Sequence, residues 1–191
     1  MSNAPDPIDA VLAFWFGEVP GERRKAWFVK DPAFDREIEA RFLALHESAA
    51  AGALAGWAHA PRGALALILL TDQFPRNLFR GSPRAFATDP LALSTAKHVI
   101  AEGWDNGMRP VERMFVYLPF EHSESIAEQD RSVALFAPLA VFAETADAAD
   151  FAERHRVIVK RFGRFPHRNA ALGRASTPEE TEFLKQPGSG F

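Results

Sequence analysis

Two stretches of the chain place the same side chains in the same order: Asp72-Gln73-Phe74-Pro75-Arg76-Asn77 and Gly163-Arg164-Phe165-Pro166-His167-Arg168-Asn169. Each follows an apolar run, and each carries Phe-Pro followed by Arg-Asn, with His167 as an extra residue in the second. Phe can anchor such a turn in a core, Pro restricts its backbone, and Asn can bond nearby main chain. Arg is then held out as a planar fork of donors that matches a carboxylate or a phosphate. Two readings stay open. Both turns can end helices, with each Arg paired to an internal acid, or Arg76, Asn77, Arg164, Arg168 and Asn169 can line one anion-binding site. Arginines that lie far apart, or that are both buried against internal acids, would count against the second.

A second group is Phe120-Glu121-His122-Ser123-Glu124, with Glu128 beyond it. On a continuous helix Glu121, Glu124 and Glu128 would share a face and His122 would lie on another. A carboxylate beside a histidine orients the ring and raises its basicity, which suits acid or base work. His122, Glu124 and His167 are the catalytic candidates on this basis. Neither His-Glu-x-x-His nor Glu-x-x-His occurs, so no metal is expected, and no cofactor motif is present. Gly21 to Lys25 lacks the glycines of a phosphate loop, and there is no Gly-x-Ser-x-Gly elbow. Ser123 beside His122 is adjacency without a nucleophile geometry.

From Arg154 to Arg174 seven Lys or Arg residues occur with no acid among them. Such a field could hold a phosphorylated ligand, an acidic peptide or an RNA backbone. The whole chain, however, carries a net charge of -3, and no array of exposed aromatics accompanies the run, which argues against nucleic acid. The chain has no cysteine, so thiolate nucleophiles and disulfides are excluded and a reducing compartment fits. The start, Met1 to Asp6, has no basic region leading into an apolar run, and Ala64 to Leu70 is too short to cross a bilayer. A cytoplasmic location without membrane contact is the expectation.

The elements that must position these groups are helices. Asp6-Pro7, Asp31-Pro32 and Asp89-Pro90 read as three cap-and-proline starts. The stripes behind the first two are Ile8, Val11, Leu12, Trp15 and then Phe34, Ile38, Phe42, Leu45, stopped by Gly17 and near Gly52. Pro61 to Asp72 reads as a buried helix ended by Pro75, followed by an ordered loop to Thr88. Pro119 should kink the next helix or divide it before a run from Phe120 to Gln129, and Pro138 should do the same within Ser132 to Glu144. Asp147 to Phe162 has Phe151, Ile158 and Phe162 on its inward side and Gly163 as its stop. Thr177-Pro178 with Glu180 forms a capping box for a last helix to about Lys185. The four tryptophans, Trp15, Trp27, Trp57 and Trp104, read as core. This makes about eight helices, no strand, and one domain over residues 1–191; with 47% hydrophobic residues the chain can bury a sizeable core.

Taken together, Phe14-Trp15-Phe16-Gly17, the two Phe-Pro segments, Leu118-Pro119-Phe120 with His122-Ser123-Glu124, and the closing Ser176-Thr177-Pro178-Glu179-Glu180 with Phe183-Leu184 make a distinctive set. The chain resembles, from about Ile8 to Phe191, the bacterial family called domain of unknown function 924. That resemblance implies an α–α superhelix similar to tetratricopeptide-repeat proteins, although no clean 34-residue repeat is readable here. It implies no catalytic residues, because the family has no assigned function. Glu121 departs from the apolar residue that the resemblance leads one to expect at that position.

Two functions follow as expectations. One is a helical module that grips a small anionic ligand, or an acidic peptide, through Arg and His groups. The other is a small enzyme acting on an anionic metabolite, with His122 or His167 as acid or base, Glu124 as orienting acid, and Arg76 and Arg168 as the clamp. A purely structural or protein-interaction domain is the third possibility.

Overall fold

The computed structural model describes residues 6–17, 19 and 21–190. The reading of the first five residues and the resemblance at Phe191 lie outside them. The described residues form nine α-helices and no strand. These are α1 (Pro7–Phe16), α2 (Pro32–Ala50), α3 (Pro61–Ile68), α4 (Phe74–Leu78), α5 (Asp89–Ala101), α6 (Pro110–Glu121), α7 (Ile126–Phe136), α8 (Ala148–Phe162) and α9 (Pro178–Phe183). No helix among the described residues is long and apolar enough to cross a membrane.

Local chemistry explains most boundaries. The Asp6 carboxylate accepts from the Ile8 N–H, and Asp31 accepts from Ala33 and Phe34, so each satisfies donors that the first turn leaves open. Thr177 and Glu180 cap each other's backbone as expected. Gly163 ends α8 at φ 71°, a left-handed conformation that a side chain would strain.

The third Asp-Pro start is used differently. Thr88 precedes α5, and Asp89 is its first helical residue, which leaves the Asp89 carboxylate available for side chains elsewhere.

α3 is the central element. Gly63 through Asp72 are all buried, and α3 packs on α1, α5, α6 and the 3-10 turn Ala55–His59. A β-carbon on Gly63 would sit 2.3 Å from the Trp57 carbonyl oxygen, so this close approach requires glycine. Around α3 the core gathers Phe14, Trp15, Phe34, Phe42, Phe74 and Phe115. Trp15 is fully buried, while Trp27, Trp57 and Trp104 pack against the core's edge. α6, α7 and α8 follow in sequence, each packed on the one before.

Pro75 does not end the buried helix. α3 widens into a π turn over Leu69–Gln73 and resumes as α4, which contains Pro75. Proline cannot donate to the carbonyl four residues back, that of Thr71. The Thr88 hydroxyl donates to that carbonyl instead, at 2.6 Å. Much of the expected loop is therefore ordered as helix and as the 3-10 turn Pro83–Ala85.

Pro119 does not divide its helix at the expected point but lies inside α6, which continues through Phe120. α6 stops at Glu121, and residues 122–125 form a turn before α7, so Glu121, Glu124 and Glu128 share no helical face. α7 ends at Phe136, ahead of Pro138, and a 3-10 turn Ala137–Val141 follows. Phe151 is exposed at 37%, because α8 turns Ala148, Ala152, His155, Ile158 and Val159 inward instead.

Candidate functional site

The π turn places Asp72 where no straight helix would, fully buried beneath the end of α6. Such turns recur at functional sites. Asp72 Oδ1 lies 2.7 Å from His122 Nδ1, Oδ2 accepts from the Gln73 side chain at 2.5 Å, and Arg76 stands 3.8 Å away. Burial pushes the Asp72 carboxyl up, but the charge and hydrogen bond of His122, with Arg76 and Gln73, outweigh it and hold the group below its ordinary value. His122 therefore has a fixed ring, with Nδ1 engaged and its other nitrogen, Nε2, left for a partner outside the dyad. The Gln129 side chain donates to the Glu121 and Ser123 carbonyls, both at 2.6 Å, and so holds the turn that carries His122.

Arg76 reaches across to Asp89, at 2.8 Å from Oδ1 and 2.9 Å from Oδ2, and donates to the Ala85 carbonyl. Arg168, from the 3-10 turn Pro166–Arg168, reaches the same carboxylate at 3.3 Å. The two guanidiniums each lie 4.7 Å from the centre of the Phe86 ring, and Arg168 is also 4.6 Å from Phe165. The paired segments thus converge on one acid and one aromatic ring. Both arginines are paired with an internal acid, the arrangement that counts against an open anion site, although Arg76 stays partly exposed while Arg168 is buried.

The Arg168 side chain is only 7% exposed, and among the described residues its guanidinium makes one hydrogen bond, to Asp89; Nε is buried with no acceptor. Burial, with Arg76 adding to it, depresses its pKa to about 10. A guanidinium held this dry with donors unused is unusual in a protein interior.

Arg168, Asp89, Phe86 and His122 help wall a cleft of about 340 Å³, whose lining does not include Arg76. Asp89, His122, Ser123, Glu124 and Arg168 form its polar side, and Phe86, Pro90, Leu93, Pro119 and Leu172 its apolar side. Small-ligand sites commonly join these features: an apolar lining with a few convergent polar groups.

Glu124 lines the cleft but does not orient His122. Arg174 holds both its oxygens, at 2.7 and 2.9 Å, and the Phe165 N–H donates to it at 2.8 Å. Burial pushes Glu124 up, but these donors outweigh it, so it stays ionised and occupied. Asp72 takes the orienting place instead.

His167 packs against Phe165, outside the cleft lining, and burial, reinforced by Arg168 and Arg76, lowers it to about 4. Asn77 donates to Asp35 on α2. Arg164 is bidentate to Glu180 at 2.6 and 2.8 Å, and Asn169 donates to Ser176 and accepts from Arg174. Of the ligand-binding candidates, Arg76 and Arg168 come together, while Asn77, Arg164 and Asn169 pin surrounding segments.

Among the described residues, five of the seven cations in the basic run are paired with acids: Arg156 with Glu153 and Asp130, Arg161 with Glu179, Arg164 with Glu180, Arg168 with Asp89 and Arg174 with Glu124. Among the described residues no three His, Asp or Glu side chains are grouped to hold a metal.

Beneath the dyad, Glu121 is buried with its carboxyl 3.1 Å from His155 Nδ1, which also donates to the Phe151 carbonyl. This is no ion pair. Burial, then the nearby Asp72, raises Glu121 to about 8, and burial lowers His155 to about 3. Sequence reasoning did not single out Asp89, Phe86, His155 or Gln129 as partners. Asp89 passed as a helix start, and nothing local marks the other three.

The family model for a bacterial protein of unknown function, DUF924, matches residues 11–188, and the chain belongs to this family. A solved structure, that of the protein of unknown function ATU0120 from Agrobacterium tumefaciens, is 44% identical. The match covers 93% of this chain and 96% of that one, with a TM-score of 0.84. No curated protein matches.

Proposed function

For a member of this bacterial family, we propose that the cleft binds a small ligand with an anionic head, carboxylate or phosphate, and an apolar body. Arg168 carries the reading: a guanidinium with unused donors, dry, in the wall of a cleft. His122 and Glu124 share the cleft's polar side with it, Arg76 meets it only across Asp89, and the apolar side would take the ligand's body. A small ligand suits the volume better than an acidic peptide, because most of the basic run is already paired. We extend the reading to a cytoplasmic protein with superhelix-like stacking, supported by its lack of cysteine and the sequential packing of α6, α7 and α8. Calorimetric titration with a panel of small carboxylates and phosphates tests it. At least one should bind, and R168Q should weaken binding at least tenfold. A panel that fails at millimolar concentration, or R168Q binding as well as wild type, would sink the proposal.

The Asp72–His122 pair favours a second reading, catalysis. A histidine anchored through Nδ1 to a buried carboxylate can act as acid or base through Nε2 on a bound anion. H122Q, checked for folding by circular dichroism, should then abolish turnover of any ester or phosphoester that the wild type hydrolyses, with binding retained. Unchanged turnover in H122Q would rule the dyad out.

A further inference from the structure

We propose that Asp89 holds the ligand's place, so that the cleft takes an amphiphilic monocarboxylate whose carboxylate replaces that of Asp89 between Arg76 and Arg168. The inference rests on the anion-binding reading above and narrows it to one ligand class.

The argument begins with shape. Both guanidiniums are stacked on Phe86, so their positions relative to one another are set by that ring. The group already held between them is a carboxylate, so a second carboxylate is the anion that would fit with least rearrangement. The internal pairing is also incomplete on both sides. Asp89 Oδ1 is buried with no well-directed hydrogen bond, although Arg76 is 2.8 Å away, and Arg168 Nε has no acceptor. Asp89 and Arg168 line the cleft and Arg76 does not, so an incoming anion meets Asp89 and Arg168 first.

Charge then limits what can enter. Arg76 and Arg168 face Asp89 from α4 and from the turn after α8, and Asp72 faces it from the π turn. The segment after α6 adds His122 and the Glu124–Arg174 pair on the cleft's rim. His122 aside, two arginines face two carboxylates, Asp72 and Asp89, before any ligand arrives. A bound monoanion restores that balance if Asp89 takes a proton from solvent, and a dianion does not. Once protonated, Asp89 changes from acceptor to donor and can give its O–H to the ligand's carboxylate. Burial and Asp72 already push the Asp89 carboxyl above its ordinary value against Arg76 and Arg168, so the proton is readily accepted. The body of the ligand faces Phe86, Pro90, Leu93, Pro119 and Leu172, which favours an alkyl or aryl chain over acetate.

The test is calorimetric titration of the full chain with hexanoate and acetate near pH 6, and with hexanoate and butyl phosphate near pH 7.5, where the phosphate ester is largely a dianion. Two zwitterionic buffers of different ionisation enthalpy report proton uptake directly. Hexanoate should bind at least tenfold more tightly than acetate, take up as much as one proton, and bind more tightly as pH falls from 7 to 5.5. D89N should bind hexanoate about tenfold more tightly with no proton uptake. Hexanoate binding without proton uptake, or a preference for butyl phosphate, overturns the inference and leaves the anion cleft standing. If neither wild type nor D89N binds any of the three, both readings fall. The proton measurement on wild type decides the matter even if D89N folds poorly.

Discussion

The first Phe-Pro segment lies within a helix, and the second closes a 3-10 turn. Both deliver an arginine to Asp89 and a face of Phe86, so the shared side-chain order survives a difference in backbone. What differs is the floor beneath each. Under the first lies a carboxylate–imidazole pair, Asp72 with His122; under the second lies a neutral contact, Glu121 with His155. The arginines differ to match. Arg76 binds a carbonyl and two carboxylates, whereas Arg168 lies between two rings with one hydrogen bond. The first segment is bound into the framework through its charges, and the second leaves a cation underused at the cleft.

The largest expected effect tests that division. D72A would leave His122 and Arg76 facing an uncompensated site, and removing one partner of a buried pair costs about 3–5 kcal/mol. R168M keeps a side chain of similar length between Phe86 and Phe165, and Asp89, the acid it leaves, is still held by Arg76. Urea denaturation should show D72A strongly destabilised and R168M within about 1 kcal/mol of wild type. If R168M costs as much as D72A, the second segment is as structural as the first and the comparison fails.

A smaller effect reads the two floors through pH. Folded Glu121 keeps its proton to about 8, whereas the unfolded chain loses it near 4.5, so this group's contribution to stability falls as pH rises between those values. His155 shifts from 6.5 to about 3, and its contribution rises with pH across that range. The two oppose one another up to 6.5, and from 6.5 to 8 Glu121 acts alone. Wild-type stability should therefore decline by roughly 2 kcal/mol over that last window, at about 1.4 kcal/mol per unit. E121Q keeps the neutral shape and should flatten the decline, as thermal melts at a series of pH values would show.

The fold was legible because helix ends are local. Asp6, Asp31, Thr177 with Glu180, and Gly163 each announce a boundary in two to four residues. The exception is Pro75, which has the form of a terminator. The hydroxyl that serves the carbonyl it deprives comes from Thr88, and no local pattern links the two. The site was half legible for the same reason. Arg76 and Arg168 stand out by repetition, but the acid that joins them and the ring that spaces them come from a third segment whose local signals mark only a helix start. His122 drew attention beside Glu124, yet the helix breaks there. Glu124 turns to Arg174, and the partner of His122 comes from fifty residues earlier.

The smallest effect falls on the asparagines that close the two segments. Asn169 is buried and bridges Ser176, Arg174 and Glu180, so N169A removes several bonds at once and leaves their partners away from water. Its cost should be about 1.5 kcal/mol, in the range for a buried polar partner removed. Asn77 makes a single bond to Asp35, which already has a bidentate partner in Arg80. N77A should therefore cost about 0.5 kcal/mol, because Asp35 remains satisfied. Paired denaturant titrations of the two variants make the measurement. Equal losses would mean that the asparagines are equivalent and that sequence order alone sets their role. A threefold difference would mean that the surroundings set it, with the second segment's framework carried by its asparagine and its arginine left for the cleft.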